Sequence, residues 1–410
     1  MFLLIFAIVF SKKCNIIKLM EASVQKVKIG IIGIGGMGST HAKSIIAGNI
    51  KNLELVAVAD VRESRLEWAK TAFGDSVKLY KTGEELLQSG EVDAVLIATP
   101  HYYHPYFVKK ALQSNIHVLS EKPAGVFTKE VRQMNEEAKK SDKIFAMMFN
   151  QRTNPVYKKM REIVQGGEYG KIKRVNWIIT DWYRTQAYFD SGDWRATWNG
   201  EGGGVLLNQC PHNLDLLQWI CGMPKKVRAF CHEGKWHNIE VEDDVTAYLE
   251  YENGATGVFI TSTGDAPGTN RFEVDLERAK LVSEHGKLMM YELFENEREF
   301  CFTCKEGFKA PEGKWIELDT SGENSQHNGV LQAFTDAIVF GSPLVAKGEE
   351  GIFGLTLSNA MHLSSWKNKT VELPLDEDEF LEELNLKRKT SKKKENVSGV
   401  TFDTKGTYGS

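Results

Sequence analysis

The sequence predicts two folded regions of different class. The first is an α/β unit, a doubly wound parallel sheet, and the second is an α+β unit on a large, mainly antiparallel sheet. Strand and helix patterns alternate over residues 26–150, whereas strand patterns beyond about residue 171 follow one another without crossover helices. A chain of 410 residues also exceeds the size at which one hydrophobic core keeps growing. We therefore expect an N-terminal extension at 1–25, a doubly wound α/β domain at 26–150, an α+β domain at 151–375, and a polar charged tail at 376–410.

A glycine-rich turn follows the first predicted strand, the apolar run Val27–Ile32. Gly33, Gly35 and Gly38 have G-x-G-x-x-G spacing, and the residues after them have a helical pattern. Such a turn places the phosphates of a dinucleotide on the backbone N–H groups of a helix N-terminus. The motif therefore predicts a dinucleotide site, which also includes Gly36 and Met37.

A carboxylate follows the second predicted strand, Glu54–Ala59. This residue, Asp60, stands where a ribose-binding acid is expected, and a carboxylate there repels a 2′-phosphate. Arg62 and Arg65 lie close behind and would partly neutralise it. The pattern favours NAD over NADP.

The alternation continues through six predicted strands, and the carboxyl ends of parallel strands meet along one ligand crevice. The strand ends carry Thr99-Pro100, Glu121-Lys122-Pro123 and Asn150, and His104 opens the helix after the fourth strand. The predicted cofactor-binding residues are Gly33, Gly35, Gly36, Met37, Gly38, Asp60, Arg62, Thr99, Pro100, His104, Glu121 and Lys122.

Lys122 is the predicted proton-transfer group of this crevice. Burial and the positive charge of a nicotinamide would lower the pKa of its amine towards the working range of a general base. Pro123 gives a tight turn that fixes where the amine points, through a cis peptide bond as one option. The alternative is a surface lysine in a loop, which the strand-end position disfavours.

A second group of polar residues follows the glycine run Gly202–Gly204. The stretch Val205–Ile220 has a helical pattern, and the spacing of Asn208, His212 and Asp215 puts all three on one helix face. Pro211 implies a kink or a late start of this helix. His212 suits proton transfer; a structural histidine and a metal ligand paired with Asp215 are the alternatives.

Residues between these two groups are candidate substrate contacts. Asn150 and Arg152 follow the last Rossmann strand, and the segment after the next strand is rich in aromatic and guanidinium groups: Trp182, Tyr183, Arg184, Trp194, Arg195 and Trp198. Flat rings suit the apolar face of a sugar, and arginines suit its hydroxyls or a carboxylate. The alternative is that these rings form a core or an interface. The predicted substrate residues are Lys122, Asn150, Arg152, Trp182, Arg195, Asn208 and His212.

The C-terminal half is predicted to form a sheet with one uncovered face. A hairpin signal, Asn253-Gly254, joins two predicted strands, and three more strands follow before 293. The uncovered face is a candidate subunit interface for a homodimer or homotetramer. The helix Gln326–Phe340 is expected to return to the first domain. The acidic run Asp376–Glu383 and the basic run Lys387–Lys394 are typical of a solvated, partly disordered tail.

Composition narrows the function classes. A hydrophobic content of 42% and a net charge of −4 describe a soluble globular protein without a nucleic-acid partner. Six cysteines are too few for a disulfide scaffold, and Cys301 and Cys304 are interpreted as reduced thiols in a strand, with a metal or redox pair as the alternative. The apolar run Met1–Phe10 is too short to cross a membrane and lacks a preceding basic region, although secretion remains an alternative to a cytoplasmic location. Because Met20 stands close to the first strand, the first nineteen residues are interpreted as an extension that the fold does not need.

Two motifs together resemble one family. Glu121-Lys122-Pro123 and Gly202-Gly203-Gly204-x-x-x-Asn208-x-x-x-His212-x-x-Asp215 resemble the glucose–fructose oxidoreductase, inositol dehydrogenase and rhizopine catabolism (Gfo/Idh/MocA) oxidoreductases. The resemblance implies a Rossmann domain, a sheet domain used for oligomerisation, and NAD(P)-dependent oxidation of sugar or cyclitol alcohols. It makes Lys122 and His212 the proton-handling pair. Many members carry Asp at the position of Asn208, and because an amide takes up no proton, Asn208 is expected to orient substrate.

The resulting prediction is an NAD-dependent dehydrogenase that acts on a secondary alcohol of a sugar, glycoside or cyclitol, with no metal. One alternative is a redox-assisted lyase or glycosidase that recycles NAD in place. A second is a non-catalytic sensor of NAD or sugar.

Overall fold

The structure is a computed structural model, which describes residues 26–392, 394 and 397–399. The interpretations of Met1–Phe10 and Met20 lie outside the described residues, as does Cys14. None of the helices within the described ranges is long and apolar enough to cross a membrane.

The N-terminal domain is a six-stranded parallel sheet with the strand order 3-2-1-4-5-6. Its strands are β1 (Val27–Ile32), β2 (Leu53–Ala59), β3 (Lys78–Tyr80), β4 (Ala94–Ile97), β5 (His117–Ser120) and β6 (Phe145–Met147). The helices between them are α1 (Gly36–Ile46), α2 (Glu63–Phe73), α3 (Gly83–Gln88), α4 (His104–Gln113) and α5 (Thr128–Ala138). The prediction of a doubly wound parallel sheet is confirmed, with strand ends within a few residues of those expected.

The C-terminal domain contains a nine-stranded sheet with the order β14-β13-β12-β11-β7-β10-β9-β8-β15. The strands are β7 (Ile172–Ile179), β8 (Lys226–Glu233), β9 (Glu242–Glu250), β10 (Thr256–Ser262), β11 (Asn270–Leu276), β12 (Ala279–Glu284), β13 (Lys287–Leu293), β14 (Gly313–Glu317) and β15 (Val371–Glu372). Among the described strands of this second sheet only β7 and β10 pair in parallel, so the prediction of a mainly antiparallel sheet is confirmed.

Helices cover one face of this sheet and connect it to the first domain. They include α6 (Pro155–Gly166), the short α7 (Gln186–Phe189), α8 (Pro211–Cys221), α9 (Glu297–Thr303), α10 (Gln326–Phe340) and α11 (Gly351–Lys367). One buried apolar cluster runs from Val118 of β5 through Leu357 of α11 to Phe259 of β10, so the two sheets share a core. Leu331 and Phe334 of α10 pack into the core of the Rossmann domain, as expected for a helix that returns to it.

Two local expectations are wrong. Cys301 and Cys304 lie in and just after α9, not in a strand, and Cys301 is exposed. The expected tail forms the helix α12 (Glu377–Thr390), which buries Phe380 and Leu384, so residues 377–390 are not a solvated tail. The two charged runs made the apolar residues that pack this helix difficult to recognise in the sequence. Acidic residues stand in its first turn and basic residues in its last turn, an order that suits the helix dipole.

Candidate active site

The glycine turn after β1 has the geometry of a phosphate-binding turn. Gly33 has φ = +93°, and a Cβ there would lie 2.6 Å from the carbonyl oxygen of Ala98. A Cβ on Gly38 would lie 1.9 Å from the carbonyl oxygen of Gly33. By contrast, a Cβ on Gly36 would meet nothing within 4 Å, and the N-cap Gly35 offers α1 no side-chain cap. The helix therefore presents an open, uncapped N-terminus of the kind that accepts a diphosphate.

Asp60 holds this turn from the end of β2. Its Oδ2 accepts a hydrogen bond from the backbone N–H of Ile34, and its Oδ1 accepts one from that of Arg62, both at 2.9 Å. Arg65 donates to the Ile34 carbonyl at 2.9 Å and to Ser39 Oγ at 2.6 Å, so it braces the turn. The Arg62 side chain is 61% exposed beside Asp60. The uncapped helix and the carboxylate at the strand end fit a nicotinamide adenine dinucleotide, which Gly33, Gly35, Gly36, Met37, Gly38 and Asp60 would hold.

Lys122 is placed in the crevice between the two domains. Its Nζ donates a 2.7 Å hydrogen bond to the backbone carbonyl of Asn208, and the Lys122–Pro123 peptide bond is cis. Burial lowers the pKa of the Lys122 amine below its usual value; the negative charges of Glu121 and Glu201 oppose this shift, and Arg195 and Arg184 add to it. The neutral amine, the form that accepts a proton, is therefore more accessible than in an ordinary lysine.

Glu121 points to α1. Its Oε1 lies 2.6 Å from Nε2 of His41, and its Oε2 accepts a hydrogen bond from the backbone N–H of Lys122. Burial opposes ionisation of Glu121, but the hydrogen bond and charge of His41 outweigh it and lower the pKa of this carboxyl to about 2. The pair ties the turn that carries Lys122 to the helix of the glycine motif. Sequence reasoning missed His41, which lies 80 residues away from its partner.

His104 links two of the strand ends. Its Nδ1 lies 2.7 Å from the carbonyl oxygen of Pro123, and its Nε2 lies 2.7 Å from that of Thr99. Pro100 stands at the N-cap position of the short helix that follows β4. The buried Oγ1 of Thr99 has no hydrogen-bond partner among the described residues. Thr99 thus keeps a polar atom for a ligand, whereas His104 holds the loops together.

His212 faces the same crevice. Its Nδ1 and Nε2 are both buried, and neither forms a hydrogen bond with any of the described residues. Burial, together with the charge of Lys122, lowers the pKa of His212 well below its usual value. The ring packs edge-on against Phe149 at a centroid distance of 6.3 Å. The imidazole is therefore neutral and has one donor and one acceptor for a substrate hydroxyl.

The expected helix face of Asn208, His212 and Asp215 does not exist. Helix α8 begins at Pro211, as the alternative of a late start anticipated, so Asn208 lies before it. Asp215 is paired with Arg152 instead of facing His212. A proline fits the first turn of a helix but not its interior, and this moved the start.

Arg152 and Asn150 make buried contacts with protein groups. The Arg152 guanidinium forms ion pairs with Asp215 at 2.7 Å and with Glu350 at 2.5 Å. Nδ2 of Asn150 donates to Gln326, whereas its buried Oδ1 has no partner in the part of the chain that the structure describes. The geometry gives Arg152 a structural role and leaves Asn150 one atom for a ligand.

The aromatic segment forms a connected polar wall. Arg195 donates to the Tyr188 hydroxyl at 2.9 Å and stacks on the rings of Tyr188 and Trp194. Gln209 also donates to Tyr188, at 3.3 Å. Buried Trp182 Nε1 and Gln209 Oε1 have no partner within the described ranges. Sequence reasoning missed Tyr188, Gln209 and Glu201; for Glu201, its place directly before the glycine run was the available signal.

Comparisons with known proteins match both domains to one family. The profile of the GFO/IDH/MocA oxidoreductase family, NAD-binding Rossmann fold, matches residues 27–149, and the profile of the GFO/IDH/MocA C-terminal domain matches residues 157–282. The chain belongs to the GFO/IDH/MocA oxidoreductase family. It is therefore an oxidoreductase with an NAD-binding Rossmann domain, as the two sequence motifs indicated.

Relatives within this family place the chain among dehydrogenases. It is 26% identical to myo-inositol 2-dehydrogenase of Thermotoga maritima over 84% of this chain and 98% of that protein. It is 24% identical to scyllo-inositol 2-dehydrogenase (NAD(+)) of Bacillus subtilis over 65% of this chain and 74% of that protein. The WlbA dehydrogenase of Chromobacterium violaceum, solved with NADH and UDP-GlcNAcA, has the same fold, with a TM-score of 0.74, 24% identity, and coverage of 86% of this chain and 98% of that one.

Proposed function

We propose that this protein is an NAD-dependent dehydrogenase that oxidises a secondary alcohol of a sugar, glycoside or cyclitol. The observation that carries the proposal is the pairing, in one crevice, of a partly buried lysine of lowered pKa with a buried, neutral histidine whose ring nitrogens have no partner among the described residues. The relatives named as inositol dehydrogenases support the substrate class.

In this mechanism Lys122 Nζ is the general base. The neutral amine takes the proton of the substrate hydroxyl, and the ammonium returns a proton when a carbonyl is reduced. His212 binds the same hydroxyl or its neighbour and orients it towards Lys122. A nicotinamide held by the glycine turn would supply the hydride acceptor for the substrate carbon.

The wall beyond Lys122 orients the substrate ring. Trp182 Nε1 supplies a donor, Gln209 Oε1 an acceptor and Asn150 Oδ1 a second acceptor, each buried and without a partner in the described residues. A polyol has both donors and acceptors, so it satisfies such a set, whereas an apolar alcohol leaves the buried groups unpaired at a cost of about 1–3 kcal/mol each. Arg195 and Asn208 hold this wall in place.

The cofactor preference follows from Asp60. A 2′-phosphate would bring negative charge to a buried carboxylate, so kcat/KM with NAD should exceed that with NADP. The exposed Arg62 beside it is the residue available to a phosphate. Equal kcat/KM values with the two cofactors would contradict this part of the proposal.

The test is a screen of purified protein with NAD against sugars, glycosides and inositols, following the absorbance of reduced cofactor. Net reduction of NAD with one of these polyols supports the proposal. Cleavage of a glycoside without net reduction would favour the redox-assisted lyase, and tight NAD binding without turnover across the panel would favour the sensor.

We also propose that the chain forms a homodimer or homotetramer through the uncovered sheet face. One lateral row on this face contains Ile178, Ile260, Thr246 and Phe230 on four adjacent strands. Ile178 and Phe230 are exposed, and exposed apolar side chains in register are typical of an interface. Light scattering of the purified protein tests this, and a monomer at micromolar concentration would contradict it.

A cytoplasmic location is the last part of the proposal. All five described cysteines are free thiols, which suits a reducing compartment. Fractionation of the native host tests it, and recovery of the protein from the medium would contradict it.

A further inference from the structure

Glu201 is a buried carboxylate beside the proton-transfer residues, and neither the motifs nor the family match assigns it a role. It directly precedes the glycine run 202–204, and only 2% of its side chain is exposed. Its Oε2 accepts a 2.6 Å hydrogen bond from the backbone N–H of Ala196, and its Oε1 accepts one from the side-chain amide of Asn208. Both oxygens are thus held in a fixed orientation.

Asn208 connects this carboxylate to Lys122. The side-chain amide of Asn208 binds Glu201, and the backbone carbonyl of the same residue accepts the hydrogen bond from Lys122 Nζ at 2.7 Å. One residue therefore fixes both the carboxylate and the amine. Arg195 Nη1 is 4.0 Å from Glu201 Oε1, which is a loose contact.

The charges around the amine come from several elements. The titratable groups facing Lys122 are Glu121, Glu201, Arg184, Arg195, His101, His104, Cys210, His212 and His327. Those facing Glu201 are Lys122, Arg195, Glu242 and Lys394. Glu121 is already bound to His41, and Glu242 accepts N–H groups of the glycine run and lies 2.9 Å from His362. Glu201 is therefore the carboxylate on the substrate-domain side whose charge the amine can use.

We propose that Glu201 is a positioning residue that fixes Lys122 through Asn208 and supplies the negative charge that stabilises its ammonium form. This inference rests on the proposed function, since it assumes that Lys122 is the general base. The proton moves from the substrate hydroxyl to Lys122 Nζ. Burial raises the pKa of Glu201 above its usual value, and Arg195 together with the hydrogen bonds from Ala196 and Asn208 opposes this shift, so Glu201 acts through its ionised form above that pKa. Its part is electrostatic: it makes the amine a stronger base without touching the substrate.

The direction of the effect on the pH profile follows. Alcohol oxidation needs the neutral amine, so kcat/KM rises with pH through the pKa of Lys122. Removing the negative charge of Glu201 disfavours the ammonium. The rising limb of the plot of kcat/KM against pH should therefore move to lower pH. For an interaction through a partly buried site, a shift of about one pH unit is expected.

The experiment compares three variants of the full-length enzyme: Glu201→Gln, Asn208→Asp and the double variant. In Glu201→Gln the limb should move down by about one pH unit, and kcat should fall about tenfold because the weaker base transfers protons more slowly. In the double variant, the amide introduced at position 201 donates to the carboxylate introduced at position 208. This exchange restores both the hydrogen bond and the charge, so the limb should return towards that of the wild type. Asn208→Asp alone places a second carboxylate against that of Glu201, and because two carboxylates in contact share one proton, the net charge beside the amine changes little and the limb should move less than in Glu201→Gln.

If the role of Glu201 were purely structural, the variants would change kcat or KM without shifting the limb of the pH profile in this order. A limb that stays in place in Glu201→Gln overturns the inference. If Glu201→Gln does not fold, as judged by loss of NAD binding, the double variant decides: its carboxylate at position 208 replaces that of Glu201, and a limb that moves down by a full pH unit despite this charge overturns the inference. The variant Lys122→Ala separates the two proposals: a fully active Lys122→Ala enzyme overturns the proposed function, whereas an inactive one together with an unmoved limb overturns only the role of Glu201.

Discussion

Lys122 and Arg152 are two cations that follow neighbouring strands of the same sheet, β5 and β6. Arg152 is buried and Lys122 is partly buried, and their surroundings differ. Arg152 forms ion pairs with two carboxylates, Asp215 and Glu350, and its side chain is 2% exposed. Lys122 forms no ion pair with any described residue, and its Nζ donates to a backbone carbonyl. Burial lowers the pKa of the lysine, whereas the carboxylates around the arginine outweigh burial and raise its pKa.

The difference separates a structural cation from a reactive one. A buried charge that is fully paired stabilises the packing around it, and losing one partner leaves the other uncompensated. An amine removed from water without an ion-pair partner costs free energy in its charged form, which lowers its pKa and favours the neutral form that can accept a proton. Mutations should therefore affect stability at the Arg152 site and turnover at the Lys122 site.

The largest expected effect is at Lys122. Lys122→Ala should lower kcat for alcohol oxidation by about two to four powers of ten, the usual range for loss of a general base. Because the native amine has only one hydrogen bond to lose among the described residues, the free energy of unfolding should change by less than about 1.5 kcal/mol. Steady-state kinetics with the substrate found in the panel, and chemical denaturation, measure the two quantities.

The exposed Lys110 on α4 provides the matched control. Lys110→Ala should have wild-type kcat, because its side chain is exposed and lies outside the crevice. A Lys122→Ala enzyme that oxidises the substrate at the wild-type rate would contradict the assignment of the base.

The opposite result is expected at the paired arginine. Asp215→Ala leaves Arg152 with one of its two carboxylates and should lower the free energy of unfolding by about 3–5 kcal/mol, as for other broken buried ion pairs. The kcat per folded molecule should change less than about fivefold, because Asp215 contacts the arginine and not the crevice. Denaturation followed by tryptophan fluorescence measures the loss, and a large fall in kcat without a loss of stability would show that Asp215 belongs to the reactive site after all.

Sequence reasoning placed Lys122 directly after a strand because a strand-end rule fixes such a position, and its role as the base stays a prediction. The carboxyl ends of parallel strands meet at one crevice, so a local motif was enough to place the amine. It gave Arg152 a substrate role because the partners of Arg152 are 63 and 198 residues away, and no local pattern encodes such pairs. For the same reason, the sequence did not reveal the contact between Glu121 and His41 or the packing of α12.

The pair of Glu121, next to Lys122, and His41 should contribute to the free energy of unfolding. Burial opposes ionisation of its carboxyl, but His41 outweighs burial and lowers the pKa from 4.5 to about 2 in the folded state. A lowered pKa means that the pair stabilises the fold above about pH 4.5, and that this stabilisation is lost as the pH falls towards about 2. Glu121→Gln should therefore be less stable than the wild type at pH 7, on the order of 3 kcal/mol, with the difference vanishing near pH 2. Denaturation of both proteins across this pH range checks it; a difference independent of pH would exclude the titration of Glu121 as the cause.

The smallest effect is expected at His212. His212→Gln keeps a donor and an acceptor but cannot exchange a proton, so kcat should fall about tenfold to a hundredfold, less than for Lys122→Ala. The free energy of unfolding should stay within about 1 kcal/mol of the wild type, because the described residues supply no hydrogen bond to either ring nitrogen. If the variant instead loses several kcal/mol of stability and keeps its kcat, His212 is a structural residue like Arg152, and the amine of Lys122 acts without it.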